Sequence, residues 1–435
     1  MAPPTQREFF ADIPAIRYVS PETATDDLLV YREYNADEVI LGRPMHEWLR
    51  FAVCFWHTFL TPPSDVFGEA TTIRPWNTHE DAFQRAKERV DAGFEFISKL
   101  GVKYYTFHDT DILPDGLEHH WPEMTEYLLA KQQATGIKLL WGTVNMFNNK
   151  MYMHGAATSP HLPAFLSAAE QVQRAMEITH KLGGENFVLW GGREGFQTIL
   201  NTDIGREEAH YAAFLRMAVA YKAKIGATFQ FLIEPKPHEP MKHQYDYDAA
   251  TTLGFLYRHG LQDHFKLNIE PNHTTLAGHD YVHDIVFAST AGHLGSIDAN
   301  SGDPSLGWDT DQFPMDSKQA ALIMRAVIKQ GGLAPGGLNF DAKVRRESTA
   351  LRDIVMGHIG AIDNLARGLR KAAEFTEKLD SRVNARYATW ESDVGRLIEK
   401  GGAAFDTLPR VNKATDFPPS GEQEAFEVEL YRALH

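Results

Sequence analysis

Eight short apolar runs separated by charged stretches constrain the fold of this chain more than any other feature. The runs are 51–57, 102–108, 137–143, 186–191, 228–234, 265–270, 293–298 and 337–341. Their length is typical of buried strands, while the periodicity of the stretches between them predicts helices at 79–100, 163–182, 206–225, 316–330 and 347–378. Strands that alternate with helices predict a parallel sheet with helical crossovers.

The number of repeats indicates how the sheet closes. Eight strand–helix repeats over about 290 residues are typical of an α/β fold of the (β/α)8 type, the TIM barrel. The alternative, an open doubly wound sheet, normally has a glycine-rich phosphate turn after its first strand, and the sequence contains no such pattern. We therefore predict a barrel at 46–378, an N-terminal extension at 1–45 and a C-terminal extension at 379–435.

The C-terminal extension bears on the oligomeric state. It is rich in charged residues, and we expect that it cannot form a hydrophobic core of its own. Such a segment either wraps a neighbouring subunit or folds back on its own chain, and the sequence leaves both open.

Composition limits the classes of binding partner and the cellular compartment that we expect for this protein. The net charge of −15 disfavours binding to nucleic acid or to anionic membranes. The one cysteine, Cys54, excludes an intrachain disulfide and lies in an apolar run, which indicates a buried, inert thiol. Because neither a signal peptide nor an apolar run of about 20 residues is visible, we expect a cytoplasmic protein.

Charged or aromatic side chains stand where most of the apolar runs give way to loops. They are His108, Trp141, Trp190, Glu234, Glu270, Asp298 and Asp341. In (β/α)8 barrels the active site lies at the carboxyl ends of the strands, so these side chains are predicted to share one mouth. One carboxylate there would be explained by a helix cap or a loop salt bridge, but four on successive strands indicate a site.

The acidic residues predict metal binding. Asp309 and Asp311, in a loop, raise the number of carboxylates at the mouth to six. Their repulsion would force protons onto several of them unless divalent cations bind, and six charges leave room for two ions. Oxygen ligands favour Mg²⁺, alternatively Mn²⁺ or Co²⁺, and His273 would make one of the two sites slightly softer. The lack of cysteine ligands disfavours a structural zinc site.

Other groups near the strand ends predict substrate handling. Lys236 lies beside the carboxylates, which favour its ammonium form and make it a hydrogen-bond donor. His108 and Asp111 form a candidate pair in which the carboxylate fixes the ring tautomer and the other ring nitrogen moves a proton.

Aromatic residues around the mouth are either core residues or walls that exclude water and stack on a sugar. They are Trp56, Trp141, Phe147 and Trp190, and Thr143, which ends the third run, is assigned to substrate binding with them. His279 and His283 have an i,i+4 spacing on a predicted helix, but without an HExxH motif they indicate a solvated or packed helix face.

Several long motifs resemble the xylose isomerases, in their longer-chain class. They are HDTDILPDG (108–116), LWGGREGFQTILNTD (189–203), LIEPKPHEPMKHQYDYD (232–248), LNIEPNHTTLAGH (267–279), GSIDANSGD (295–303), LGWDTDQFP (306–314) and GGLNFDAKVRRES (336–348). The resemblance runs in order and spacing from about residue 40 to about residue 375. It implies a (β/α)8 barrel, a homotetramer and two divalent metal ions per subunit.

The resemblance also implies a role for each matching residue. Glu234, Glu270, Asp298 and Asp341 match the family's structural metal site. Glu270 also bridges to a second metal, whose other ligands are His273, Asp309 and Asp311. His108 and Asp111 match a pair that assists opening of the cyclic sugar, and Lys236 matches a lysine that contacts O1. Trp56, Phe147 and Trp190 match apolar walls, and Phe67 matches a phenylalanine that reaches in from a neighbouring subunit.

The activity implied by the resemblance is interconversion of D-xylose and D-xylulose, and also of D-glucose and D-fructose, by ring opening and a metal-assisted hydride shift between C2 and C1. A metal-dependent phosphodiesterase such as a DNA-repair nuclease is the main alternative, but that class tends to have more histidine ligands and a basic surface. A sugar-binding protein without catalysis is a third reading, and an aldose other than xylose stays open as substrate.

Overall fold

Eight parallel strands form a closed barrel in a computed structural model that describes residues 7–413, 415–416, 418 and 420–435. The strands are β1 (Phe51–Cys54), β2 (Tyr104–His108), β3 (Lys138–Thr143), β4 (Asn186–Trp190), β5 (Gln230–Glu234), β6 (Phe265–Ile269), β7 (Leu294–Asp298) and β8 (Leu338–Phe340). Each strand pairs with the next, and β8 pairs with β1. The predicted (β/α)8 fold is confirmed, and every strand lies within its predicted run.

The predicted extensions are described only in part. The first six residues of the N-terminal one, and residues 414, 417 and 419 of the C-terminal one, lie outside the described residues. The division of the chain at residues 45 and 378 stays a prediction.

The helices cover the outside of the barrel and extend beyond it. They are α1 (Met45–Trp48), α2 (Ala82–Leu100), α3 (Asp109–Ile112), α4 (Trp121–Thr135), α5 (Leu162–Lys181), α6 (Ile204–Lys224), α7 (Ala249–Arg258), α8 (Pro271–Leu276), α9 (His283–Thr290), α10 (Ser317–Gln330), α11 (Leu351–Arg386), α12 (Asp393–Glu399) and α13 (Gln423–Leu434). The five predicted helices correspond to α2, α5, α6, α10 and α11, and α11 continues eight residues beyond the predicted end at 378.

One helix prediction is wrong. His279 and His283 do not share a helix, because α8 ends at Leu276 and α9 begins at His283. Gly278 lies between the end of α8 and the start of α9. Its φ of +83° is in the left-handed region that is typical of helix ends. The two imidazole rings still stack, with centroids 4.2 Å apart.

Local signals explain where the longer helices begin and end. Asp81 accepts a hydrogen bond from the backbone N–H of Gln84 and so caps α2, and aspartates cap three further helices: Asp203 for α6, Asp248 for α7 and Asp316 for α10. Helix α2 ends at Gly101, whose φ of +72° is readily adopted by glycine.

Short elements complete the described chain. Two antiparallel ladders pair Val39–Ile40 with Arg43–Pro44, and Gly195–Phe196 with His243–Gln244. Short 3₁₀ turns lie at Pro75–Asn77, Glu118–His120, Lys150–Tyr152, Ile199–Asn201 and Ala388–Glu391. A π-helical turn, Trp56–Leu60, follows β1.

Two apolar layers support the site. The larger lies between the strands and the helices, and the smaller fills the barrel with Ala52, Cys54, Trp56, Tyr104, Leu140, Trp141, Val188 and Leu232. Cys54 is a free thiol with no exposed surface, as predicted. Because side chains fill the barrel, ligands have access only at its ends.

The segments before and after the barrel in the sequence both contact α11. Asp363 of α11 accepts hydrogen bonds from the backbone N–H groups of Arg32, Glu33 and Tyr34. At the other end of the chain, Arg382 of α11 pairs with Glu422 and Glu429, which holds α13 against α11. The segment between α11 and α13 carries exposed apolar side chains, among them Tyr387, Trp390 and Phe405.

Candidate metal and substrate site

The carboxyl ends of the strands surround a cavity of about 320 Å³. In a closed parallel barrel, the last side chains of the strands and the loops after them all face this mouth. The predicted residues that line it are Trp56, His108, Asp111, Trp141, Thr143, Phe147, Trp190, Glu234, Lys236, Glu270, His273, Asp298, Asp309, Asp311 and Asp341.

One group of buried carboxylates has ligand oxygens within 4.8 Å of one another. Its members are Glu234, Glu270, Asp298 and Asp341. Amide side chains hold these carboxylates in place. Asn268 donates to Oε2 of Glu234 and to Oδ2 of Asp298, both at 2.9 Å, and Asn339 donates to Oδ1 of Asp298 at 2.8 Å. Asn268 lies on β6 and Asn339 on β8, the two strands that pair with β7, which ends at Asp298. The fold itself therefore orients the group.

A second group shares Glu270 with the first. Ligand oxygens of Glu270, Asp309 and Asp311 also lie within 4.8 Å of one another. His273 Nε2 lies 3.0 Å from Oε2 of Glu270 and 3.1 Å from Oδ2 of Asp309, while Nδ1 lies 3.0 Å from the carbonyl oxygen of Pro235. If Nδ1–H donates to that carbonyl, Nε2 is the atom with a free lone pair, as a metal-binding imidazole requires.

Burial and crowding raise the pKa of four of the six carboxylates, among them Asp311, on which burial and the charge of Asp309 act. Burial, and then the charge of Asp298, raise the pKa of Glu234 well above its usual value. Burial and Asp309 raise the pKa of Glu270 in the same way. Burial and Asp341 raise the pKa of Asp298 to about 8. These groups are costly to ionise together without a cation.

Two other carboxylates are held in the charged form. Burial opposes ionisation of Asp309, but Lys236 and His273 hold its pKa well below the usual range. Burial likewise opposes ionisation of Asp341, but its hydrogen bond with His57 lowers its pKa. The mouth therefore combines carboxylates that are already charged with carboxylates that need a neighbouring positive charge.

The chemistry of the side chains fits divalent cations. Two groups of oxygen ligands share Glu270, and two imidazoles have nitrogens within 4.8 Å of their oxygens: His273 beside Glu234 and Glu270, and His57 beside Asp311 and Asp341. Oxygen-rich ligand sets select hard ions, and one nitrogen ligand is compatible with Mn²⁺ or Co²⁺. The raised pKa values of Glu234, Glu270 and Asp298 point the same way, because a bound cation would offset the repulsion.

Lys236 stands between the second group and the aromatic wall. Its Nζ lies 2.8 Å from Oδ2 of Asp309 and 3.3 Å from Oε2 of Glu239, and 5.5 Å from the ring centroid of Trp190. Burial lowers the pKa of Lys236, but Asp309 and Glu239 more than offset this and raise it. The lysine is therefore a charged donor and is unsuited to act as a base.

His108 and Asp111 form the predicted pair on the other side of the cavity. His108 Nδ1 lies 3.1 Å from Oδ2 of Asp111, which also accepts the backbone N–H of His108 at 2.6 Å. Burial lowers the pKa of His108, but the charge of Asp111 raises it overall. With Nδ1–H directed to the carboxylate, Nε2 is left for a ligand in the cavity.

Aromatic rings form a continuous wall beside this pair. His108 makes edge contacts with Trp56 at 4.7 Å and with Phe147 at 5.6 Å, and Phe147 in turn contacts Trp190 at 4.6 Å. Within the described residues, the indole N–H groups of Trp141 and Trp190 are buried and have no hydrogen-bond partner. Buried donors of this kind are suited to the hydroxyl groups of a sugar.

Two predicted residues are placed differently from the others. Trp141 lies inside β3, two residues before its end, and faces the barrel interior as well as the cavity. Phe67 does not line the cavity. Its side chain is 83% exposed and contacts Trp308 of its own chain with ring centroids 5.7 Å apart.

The prediction missed His57, which also lines the cavity. Its Nε2 lies 3.0 Å from Oδ2 of Asp311 and 3.1 Å from Oδ1 of Asp341. Burial lowers the pKa of His57, but Asp311 and Asp341 raise it to about 9. The signal was present, since His57 ends an apolar run as His108 does. Asn145 and Asn148 also line the cavity, from a loop with no distinctive motif.

None of the described helices is both long and apolar enough to cross a membrane.

Sequence comparison identifies the family. No protein-family model matches the chain. It is 51% identical over 438 aligned residues to a xylose isomerase of Arabidopsis thaliana, with 99% of this chain and 91% of that protein covered. It is 49% identical to a xylose isomerase of Paraburkholderia xenovorans, with 98% and 99% covered. The chain belongs to the xylose isomerase family. Membership of the xylose isomerase family implies dependence on divalent metal ions, for which the two ligand groups at the mouth are candidates.

Solved structures support the fold of this xylose isomerase family member. An L-ribulose 3-epimerase superimposes with a TM-score of 0.51 and 15% sequence identity, over 76% of this chain and 97% of that one. At this identity the likeness concerns the barrel alone.

Proposed function

We propose that this protein interconverts D-xylose and D-xylulose, and also D-glucose and D-fructose, with two divalent cations bound per chain. The observation that carries the proposal is the pair of ligand groups that share Glu270, placed between a charged lysine and a His–Asp pair in one aromatic-walled cavity. The family relationship supports the substrate, because relatives with about half of their residues identical are named xylose isomerase.

In this proposal the first cation is held by Glu234, Glu270, Asp298 and Asp341, and the second by Glu270, His273, Asp309 and Asp311. Mg²⁺ is the proposed ion, with Mn²⁺ or Co²⁺ as alternatives, because the ligands are oxygen-rich. The chemistry that such ions supply when bound is Lewis-acid polarisation of the sugar oxygens.

His108 handles the first proton transfer. Because Asp111 fixes the proton on Nδ1, Nε2 exchanges a proton with the ring oxygen or the anomeric hydroxyl, and so assists opening of the cyclic sugar. Asp111 also holds the ring in its orientation, which keeps Nε2 directed into the cavity.

Lys236 and the aromatic wall act on the open sugar. The ammonium group of Lys236 donates to O1, where negative charge develops during isomerisation. Trp56, Phe147 and Trp190 keep water away from C1 and C2, so the hydrogen passes directly between these carbons without exchange with solvent.

The proposal includes a homotetramer in which Phe67 of one chain closes the cavity of another. Phe67 supports this because it is 83% exposed, beside the exposed Val66, and is therefore accessible to a second chain. A cytoplasmic location is also proposed, in keeping with the buried free thiol of Cys54.

The decisive experiment measures conversion of xylose to xylulose by protein stripped with EDTA, before and after addition of Mg²⁺, Mn²⁺ or Co²⁺. We expect activity only with metal, and no deuterium at C1 of the product when the reaction runs in D₂O. Substantial deuterium at C1 would contradict direct transfer. Inactivity on xylose and glucose with every metal, or cleavage of abasic DNA instead, would contradict the function itself.

A further inference from the structure

His57 occupies an unusual piece of backbone at the mouth. Strand β1 ends at Cys54, and Trp56–Leu60 form a π-helical turn in which the backbone N–H of Thr61 donates to the carbonyl oxygen of Trp56 at 2.7 Å. π-Helical turns are rare and occur frequently at functional sites. This turn places the side chains of both Trp56 and His57 on the cavity.

One ring nitrogen of His57 contacts both ligand groups. Nε2 lies 3.0 Å from Oδ2 of Asp311, a member of the second group, and 3.1 Å from Oδ1 of Asp341, a member of the first. Because carboxylate oxygens are acceptors, an Nε2–H group in this position attracts both carboxylates. Within the described residues Nδ1 is buried and has no partner, so the contacts of the ring are directed at these two carboxylates.

The remaining donors to these two carboxylates act on the same oxygens. Trp56 Nε1 donates to Oδ1 of Asp341 at 2.7 Å, and Lys343 Nζ donates to Oδ2 of Asp311 at 2.9 Å. Trp56 and Lys343 each serve one carboxylate, whereas His57 serves both.

The backbone at Asp311 needs such support. Its φ is +44°, in the left-handed region that residues other than glycine rarely adopt. The backbone N–H of Lys343 and a guanidinium N–H of Arg345 both donate to its carbonyl oxygen at 2.9 Å. These contacts hold the backbone, while His57 and Lys343 orient the carboxylate.

From this geometry we infer that His57 is a positioning residue that sets the separation of Asp311 and Asp341, and through them the spacing of the two cations. The inference rests on the proposed function only in requiring that both ligand groups bind a cation. Residues that orient metal ligands typically contribute about 10-fold to 100-fold to metal affinity or activity.

Two variants that differ by one methylene test the inference. Glutamine in His57→Gln carries an amide N–H about as far from the backbone as Nε2, whereas asparagine in His57→Asn stops short of the carboxylates. Mn²⁺ binding to the stripped full-length protein is measured by calorimetry. We expect two ions to bind to each wild-type chain, roughly 10-fold to 100-fold weaker binding in His57→Asn, and affinity within about threefold of wild type in His57→Gln.

Electron paramagnetic resonance of the protein with two Mn²⁺ ions bound provides a second measurement, which a merely structural role of His57 would leave unchanged. Coupling between the two Mn²⁺ ions depends on their separation, so the spectrum should change in His57→Asn and return towards wild type in His57→Gln. Trp56→Phe, which removes a donor to Asp341 alone, should weaken one binding step and spare the other.

Several outcomes would overturn the inference. Wild-type affinities and an unchanged spectrum in His57→Asn would exclude a positioning role. Three ions per wild-type chain, falling to two in His57→Asn, would make His57 a ligand instead. Wild-type protein that binds no Mn²⁺ would remove this inference together with the proposed function. If two ions bind but no xylose is converted, the proposed activity fails while the role of His57 can still be decided.

Discussion

At the amino end of the barrel Arg50 and Glu185 form a charge pair, whereas at the carboxyl end acidic groups outnumber their partners. Arg50, just before β1, donates to Glu185, just before β4, and also to the carbonyl oxygen of Gly336 at 2.7 Å. Its guanidinium lies 4.6 Å from the ring centroid of Tyr104. Seven carboxylates line the opposite mouth: the six of the two ligand groups and Asp111.

The difference separates stability from function within one barrel. Two opposite charges that pair with each other add stability and leave no uncompensated charge that could bind a ligand. Carboxylates whose pKa values are raised by burial and by one another, such as Glu234 and Glu270, can be stabilised by a cation that binds among them. The carboxyl end is therefore expected to respond strongly to metal and pH, and the amino end only weakly.

The largest effect is expected for Glu270→Gln, because Glu270 belongs to both ligand groups. The neutral amide would remove a negative charge that both groups would offer to a cation, so kcat with saturating Mg²⁺ should fall by at least about 1000-fold. Calorimetry with Mn²⁺ should show fewer than two ions per chain. Retention of two tightly bound ions and substantial activity would show that the groups are independent.

A smaller loss is expected for His108→Asn, which changes the mouth outside the ligand groups. Without the ring, Nε2 no longer exchanges a proton with the cyclic sugar, so kcat should fall roughly 100-fold. Mn²⁺ affinity should stay within about twofold of wild type, since His108 is in neither ligand group. If metal affinity fell as far as kcat, the mouth would behave as one cooperative unit rather than as separable parts.

The barrel and most of the site could be predicted because both follow from a regular pattern. Each apolar run contains a strand, and parallel strands necessarily bring Glu234 and Asp298 to the same end. His57 ends an apolar run as His108 does, but the strand within that run stops at Cys54. A π-helical turn, which local sequence does not signal, carries the side chain into the cavity.

Residues that act through others were also hard to predict. Asn268 and Asn339 lie within apolar runs, where an amide reads as an interruption, and their hydrogen bonds to Asp298 depend on which strands become neighbours. Asn145 and Asn148 depend on the course of the loop after β3. For Phe67 the expected role requires a second chain, and the packing against Trp308 is a contact within one chain.

The two ends should also differ in how pH affects stability. Burial and Asp341 raise the folded-state pKa of Asp298 to about 8 from its usual 3.8, so the folded metal-free protein holds a proton that the unfolded chain has released. Unfolding then releases a proton, and the free energy of unfolding falls as the pH rises from about 4 to about 8. The raised pKa values of Glu234 and Glu270 act in the same direction.

Thermal unfolding of the EDTA-treated protein at pH 5 to 8 measures the slope of Tm against pH. We expect Tm to fall across the range without metal. With excess Mg²⁺ the slope should be lost or reversed, because ligands bind the cation in their deprotonated form. Asp298→Asn should reduce the slope of the metal-free protein. A flat metal-free profile would mean that the carboxylates are no more crowded than the charges at the amino end.

The smallest effect on activity is expected for Glu185→Gln at the amino end. The glutamine still accepts a hydrogen bond from Arg50 but removes one charge of a pair whose side chains are 14% and 26% exposed. For a pair between the surface and the interior, the free energy of unfolding should fall by about 1 kcal/mol. Activity and Mn²⁺ affinity should stay within about twofold of wild type, because no ligand group is near. The same change of Glu to Gln would thus weaken stability at one end of the barrel and abolish function at the other. A large loss of metal affinity in Glu185→Gln would show instead that the two ends are coupled through the strands that join them.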